Sequence, residues 1–177
     1  MSYGEVARGL ADLKLYPLDE DDLPTQGVDY PGIRALETGT EQDEETWEGD
    51  DGTIVTAQDN KRGTGTIRTG RNNPTALAVM KGGESVTSGV EPDLIITHEE
   101  TADPTENYFM VVGQSRSLDT AGSGYRKVLH KVKAGNLTER QELKQFNEPT
   151  IDITYQETKD GKFITRQWFK TRVDVPT

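Results

Sequence analysis

The sequence predicts a mainly-β fold: a β-sandwich or partly open barrel with one short helix flanking the sheet, an extended loop or arm, and a sheet completed by oligomerisation. Three observations predict it. Apolar residues recur with period two over many short segments separated by turn residues, at the spacing of sandwiches and barrels. Only the segment 73–82 carries helix punctuation at both ends. The hydrophobic fraction of 32% lies well below the roughly 45–50%, glycine included, of ordinary globular chains. Much of the chain therefore lies outside a conventional core, as solvated loops or as arms that order against neighbouring copies, and the second is preferred. At 177 residues the chain is one domain, 1–177, with an acidic loop or arm at about 18–52.

Taken in order, Ala11, Leu13 and Leu15 alternate with Asp12, Lys14 and Tyr16, the pattern of a half-buried strand closed by Pro17. Leu18 to Pro31, with Asp19, Glu20, Asp21, Asp22, two prolines and Gly27, reads as an arm without a core of its own, removable without loss of the fold. Gly32 to Thr40 fits a strand, Glu41 to Gly52 an acidic tip around Trp47, and Thr53 to Asp59 a second strand. Thr64, Thr66 and Arg68 alternate with Gly65, Ile67 and Thr69 in a strand with few large side chains, ended by Gly70. Asn73 before Pro74 is an N-cap followed by proline at the first helical position. Ala76, Leu77, Val79 and Met80 give the helix an apolar flank, and Gly82 suits a left-handed C-terminal cap.

Beyond the helix, Asp93 to Glu99 (around Leu94, Ile95 and Ile96) and Tyr108 to Val112 read as interior strands covered on two faces. Tyr125 to Ala134 and Leu137 to Phe146 flank Gly135-Asn136, a dipeptide suited to a hairpin turn. The second flank has a helical alternative, because Thr138 and Gln141 have capping-box spacing; its apolar residues form no single helical stripe. Ile151, Ile153 and Tyr155 alternate with polar residues, and Lys159-Asp160-Gly161 turns the chain into Phe163 to Lys170, a terminal hairpin. About nine or ten strands result, and such a sheet must manage its open edges.

Charge is distributed unevenly. Met1 to Asn60 holds sixteen acidic and three basic residues, and the remainder fifteen and seventeen. A surface of that kind repels nucleic acid, whose binding needs Lys and Arg on the phosphates. The alternative is ordinary solvation of exposed loops.

No catalytic constellation is legible. The carboxylate pairs Asp19/Glu20, Glu44/Glu45 and Asp50/Asp51 are adjacent and point to opposite faces of a strand, whereas catalytic pairs converge on one bond. Glu48 to Gly52 lacks the ligand alternation of a calcium loop, and Gly122-Ser123-Gly124 lacks the Lys-Ser/Thr ending of a phosphate loop. Ser115 and Ser117 have no nucleophile-elbow glycines, and His98 and His130 have no metal spacing. Trp47 and Trp168 read as packing or interface anchors. The sequence thus predicts no enzyme, no cofactor and no metal. With no cysteine, no signal-peptide pattern and no apolar run near the ~20 residues of a membrane span, it is expected to be a soluble protein made in a cytoplasm, without a membrane anchor.

The order of parts, an N-terminal strand, a long acidic arm, paired strands, GTGTIRTGRNNPTALAVMKGG with its single short helix and a β-rich C-terminal half, resembles the major tail tube proteins of long-tailed bacteriophages. That resemblance implies stacked hexameric rings whose strands complete a shared inner barrel, a conduit for DNA that passes without specific binding. Its partners would be its own copies, a tape-measure protein, and tail terminator and distal tail proteins. The location would be the virion tail, assembled in the host bacterial cytoplasm, and the tail of the non-contractile, siphophage type. On this reading Glu37, Glu41, Asp43 and Glu45 are the candidate lumen-facing or ring-stacking acids. Thr64, Thr66 and Arg68 belong to the inner-wall strand. Asp19, Glu20, Asp21 and Asp22 form an inter-ring arm, and Arg126, Lys127, Lys131 and Lys133 are the candidate basic inter-ring partners, which the acids at 37–45 would meet on the next ring if they belong to a stacking loop. The competing expectation is a β-sandwich binding or decoration module on a virion surface, self-contained as a monomer.

Overall fold

The structure, a computed structural model, describes residues 8–49, 52–71, 73–100, 107–116, 124–139 and 148–169. It is mainly β, with a large antiparallel sheet, a second small sheet and one short helix. The elements are β1 (Arg8–Pro17), β2 (Val28–Asp29), β3 (Ile33–Gly49), β4 (Gly52–Thr69), α1 (Pro74–Lys81), β5 (Glu84–Ser88), β6 (Ile95–Glu99), β7 (Tyr108–Arg116), β8 (Gly124–Thr138), β9 (Thr150–Gln156) and β10 (Ile164–Phe169). The large sheet runs β2-β1-β7-β8-β9-β4-β3, with β10 added to β8, and β5 and β6 form a separate ribbon.

Alternation of apolar and polar side chains gives the sheet one dry face. Leu13 and Leu15 of β1, Phe109 and Val111 of β7, Leu129 and Val132 of β8, Ile151, Ile153 and Tyr155 of β9, and Ile67 of β4 share one core. Three strands separate β1 from β4, so the sheet must fold over for Leu13 and Ile67 to share it. β7 is covered on both faces as expected, since Val112 packs with Tyr16 and Val128 on the other side. Two glycines let β4 sit close to its neighbours. A Cβ at Gly63 would lie 1.9 Å from the Tyr155 ring, and one at Gly65 would lie 2.3 Å from the Glu37 carbonyl oxygen.

The helix follows its punctuation. The Asn73 side chain accepts from the amides of Thr75 (3.0 Å) and Ala76 (3.4 Å), and Pro74 starts the first turn. Ala76 and Met80 are buried in the core. Gly82 donates its amide to Ala78 O (3.0 Å), but its φ of 76° comes with a ψ of −164°, an extended glycine conformation and not the expected left-handed helical one.

Within the large sheet the structure differs from the sequence reading in four places. The segment 18–31 is no free arm, because β2 pairs with β1 and Tyr30 is fully buried, so its removal would open the core. The acidic stretch after Glu41 is strand, not tip: β3 stays paired with β4 from Glu41 opposite Arg62 to Gly49 opposite Gly52, with register shifts at Gln42/Asp43 and Trp47/Glu48, and 53–59 and 64–69 are one strand. Gly135-Asn136 is no turn. β8 runs through it with a register shift between Ala134 and Leu137, because β9 supplies a partner on both sides; residues 140–147 lie outside the described residues. The terminal hairpin is also absent. The turn at Lys159-Asp160 exists, but β10 pairs with Gly124–Leu129 of β8 and β9 pairs further along the same edge, so the two strands lie end to end.

The two ends of the folded sheet meet at Thr69. Gly70 donates to Gly32 O (2.8 Å), Tyr30 N to Leu13 O (2.9 Å) and Thr69 N to Pro149 O (3.1 Å). The buried Thr69 hydroxyl faces the carbonyls of Gly32 (3.3 Å) and Arg71 (3.0 Å), accepts the Arg71 amide (3.1 Å), and shares a hydrogen bond with the Tyr30 phenol. Burial pushes the pKa of that phenol up to about 12. Replacing Thr69 by valine keeps the volume and strips these groups of their partner. We expect Thr69→Val to cost about 1–3 kcal/mol in urea unfolding; a change within experimental error would remove the seam from the stability of the fold.

Candidate assembly surfaces

The outer face of β9, β4 and β3 carries the candidate wall. Pairing sets Leu36, Thr38 and Thr40 with Ile67, Gly65 and Gly63 on the core side, which leaves Glu37 and Glu41 beside Thr66, Thr64 and Arg62 on the other. Thr150, Asp152 and Thr154 continue this face on β9. Glu37, Glu41, Thr64, Thr66 and Arg68 therefore share one surface, poor in apolar groups. Its charge is mixed, because Glu37 Oε1 lies 3.3 Å from Arg68 Nη2 and Glu41 stands opposite Arg62. Asp43 and Glu45 fall further along β3, in register with Asp59 and Ala57.

Beyond Gly63, β4 has no partner but β3 among the described residues. The strand pair from Glu41–Arg62 outward is a two-stranded ribbon about 30 Å long at 3.3 Å per residue. Residues 41–60 hold eight acids and no lysine or arginine.

The expected inter-ring arm is committed within the chain. Asp19 Oδ1 accepts the amides of Asp21 and Leu23 (both 2.9 Å), which folds the four acids into a tight turn. At its tip Asp22 has a φ of 60° and a side chain only 7% exposed. The carboxylate takes Lys131 Nζ at 2.8 and 3.0 Å and the Lys159 amide at 2.9 Å. Lys159 also bonds the Glu20 carbonyl and lies 3.7 Å from Asp21. Asp22 and Lys131, expected on opposite sides of a contact between copies, are thus each other's partners; the cause is the fold of 18–31 onto β8. Burial acts to raise the Asp22 pKa, but the Lys131 and Lys159 contacts outweigh it and hold the carboxyl below its ordinary value. An open groove of about 620 Å³ lies between this turn, α1 and Tyr108, and both of its ammonium groups, Lys131 and Lys159, are already engaged.

The remaining basic candidates also have local partners. Arg126 is buried, bonds Gln114 Oε1 through Nε (3.2 Å) and Nη2 (3.0 Å), and lies over the Phe169 ring. Lys127 donates to Thr38 Oγ1 (2.7 Å); burial first and Arg166 second lower its pKa. Lys133 lies opposite Tyr108 and Thr154, on the wall face. His130 bonds Thr165 (2.7 Å), and burial with nearby Lys162 lowers its pKa.

The interior strand expected at 93–99 is instead the second strand of the β5–β6 ribbon, and its apolar side chains are open: Ile95 is 62% exposed, and Val86, Val90, Leu94 and Ile96 join it. An apolar run cannot reveal from sequence whether anything covers it. Nothing in the sequence marks the second edge of β10 either, which has no partner among the described residues. Trp168 on that strand, expected as an anchor, stacks on Tyr125 at 5.4 Å and is 63% exposed. Among the described residues no three His, Cys, Asp or Glu converge as metal ligands, and no helix is long and apolar enough to cross a membrane.

No protein-family model matches the chain, and no curated protein matches it.

The Asp22 knot has a pH signature. A carboxyl held below its ordinary pKa stabilises the fold above the unfolded value near 3.8, and that contribution is lost as pH falls through the lowered folded value. Asp22→Asn should therefore cost about 1.5–3 kcal/mol at pH 7, with the gap to the parent narrowing at pH 3. Denaturant unfolding at both pH values measures it, and a gap independent of pH would place the effect in packing.

Proposed function

We propose that this chain is a structural subunit that polymerises as stacked rings into a phage tail tube, a conduit through which DNA leaves without being bound. The observation that carries this reading is the β3–β4 ribbon, about 30 Å of paired strand extending past its last sheet neighbour. A two-stranded ribbon is marginal by itself in water. Its length makes sense where other copies flank it.

Further features support the same reading. The ribbon is continuous with the Thr64, Glu37 and Glu41 surface, so one side of the molecule presents small polar groups and paired charges, with few groups to trap a sliding phosphate backbone. The acid excess of the ribbon would be repeated by every copy around a ring, and its repulsion of DNA reaches roughly 8–10 Å at moderate salt. Exposed apolar side chains on β5–β6, and the second edge of β10, which has no partner among the described residues, are surfaces that suit contact with other copies. Tape-measure, terminator and distal tail proteins are the further partners this role requires, and the virion tail its location.

Negative-stain electron microscopy of the concentrated protein, with sedimentation velocity alongside, tests the proposal. Hollow tubes of constant diameter are expected, alone or when seeded with purified tails. A compact monomer under both conditions overturns the reading in favour of a decoration module. Lysine at positions 37, 41, 43 and 45 together should leave tube diameter unchanged and slow DNA ejection at least severalfold from phage built with the variant. Unaltered ejection kinetics would place these acids away from the lumen.

A further inference from the structure

Two surfaces lie at opposite ends of β8 and take no part in the core or the wall. At one end, the β5–β6 ribbon is tied to the body through α1: Ser85 Oγ donates to Pro74 O (3.0 Å), and Lys81 at the end of the helix bonds the Gly135 carbonyl of β8. The ribbon exposes Val86, Ile95 and Ile96, and residues 84–100 contain five acids and no lysine or arginine. Both of its outer edges are unpaired among the described residues.

At the other end, β10 pairs with β8 through Phe169 opposite Gly124. Ile164 packs on the core, whereas Trp168, two residue pairs along on the same side of the strand, is 63% exposed. Arg166 stands exposed two residues before it on the same side and Lys162 is exposed just ahead of the strand, and neither 161–169 nor 124–138 includes an acid. Gly135 and Gly124 are separated by about 35 Å of strand, so the two surfaces cannot meet within one chain.

We propose that the β5–β6 ribbon of one copy docks along the open edge of β10 of a second copy, head to tail. The inference rests on the self-assembly reading and assigns its ring contact. An open strand edge recruits another strand through its free N–H and C=O groups. Trp168 then gains the apolar cover it lacks from Val86 and Ile95, and the acids around the ribbon meet Lys162 and Arg166. A second copy fits better than an unrelated partner, because the acid-rimmed apolar ribbon and the base-rimmed aromatic edge complement each other and every copy carries both. A contact between two unlike surfaces of identical chains repeats, and it closes into a ring when its rotation divides the circle.

The chain has no cysteine, so single introduced thiols report one contact. Ile96→Cys and Gln167→Cys variants, both on the face opposite Ile95 and Trp168, mixed under mild oxidation, are expected to give a disulfide-linked dimer of one of each, and neither should crosslink with itself. In parallel, Ile95→Glu and Trp168→Glu should each sediment as a monomer, and their equal mixture as a dimer that grows no further, since one intact contact remains. Both positions are exposed, and unchanged thermal melts will certify the fold. Absence of the mixed crosslink, or self-crosslinking of Ile96→Cys, overturns the inference. So does tube growth of Ile95→Glu at the parent rate, which would leave the tube reading standing. A mixed crosslink from a parent that never forms tubes would support the contact and sink the tube.

Discussion

Thr69 holds together two regions of one sheet that the strand order places far apart. β2 lies at one end of that order and β3 at the other, yet only 30–32 separates them in the chain. The short link forces the ends together, and the buried hydroxyl, the Tyr30 phenol and the Gly32 carbonyl satisfy one another where backbone polar groups would otherwise lie unpaired in a dry core. Once the ends are tied, the sheet folds over, its apolar face becomes interior, and α1, entering directly after Thr69, closes the side with Ala76 and Met80. The direction in which β3 and β4 leave the body follows from the same point, since both strands have one end at the seam.

Fixing the seam also decides what the chain leaves unpaired. A sheet folded over itself without full closure keeps edges, and among the described residues they are the outer flanks of β2 and β3, the second flank of β10 and both flanks of the β5–β6 ribbon. Soluble monomers blunt such edges with charge, proline or cover. β3 carries dense acidic charge, which repels a second copy of itself. β10 carries Arg166 and an uncovered tryptophan, and β5–β6 carries isoleucine and valine, a combination that protects neither from the other. Under the proposed reading these are edges awaiting a partner.

Local signals in the sequence were legible and long-range ones were not. The helix, with Asn73, Pro74 and Gly82 at its limits, depends on contacts within a few residues, and β9 follows from the period of Ile151, Ile153 and Tyr155 because one of its faces is buried. Gly135-Asn136 suits a hairpin turn or a shift within a strand equally well, and β9 decides between them from residues further along the chain. Lys159-Asp160-Gly161 is a turn as read, but which strand the chain meets next is set by the free length of β8. The acidic turn failed as an arm for the same reason: Lys131, the partner that pins Asp22, is more than a hundred residues away. The Glu37 and Thr66 surface was recoverable because strand alternation alone assigns the faces once Leu36 and Ile67 are placed inside.

Charge separates into three zones along this framework, and their order constrains any assembly. On the wall, Glu37 is offset by Arg68 and Glu41 by Arg62, so that surface is close to neutral locally. Within the ribbon, 41–60 holds no lysine or arginine, and Asp43 falls in register with Asp59. The base-rich end of β8 and β10 lies apart from both, with Lys127 disfavoured as a cation by its burial and by Arg166. An acidic zone brought against that end relieves the crowding, whereas two copies meeting there, or two ribbons side by side, would add to repulsion. Like surfaces are thus kept apart and unlike surfaces drawn together, which favours a directional, head-to-tail contact over a symmetric pair.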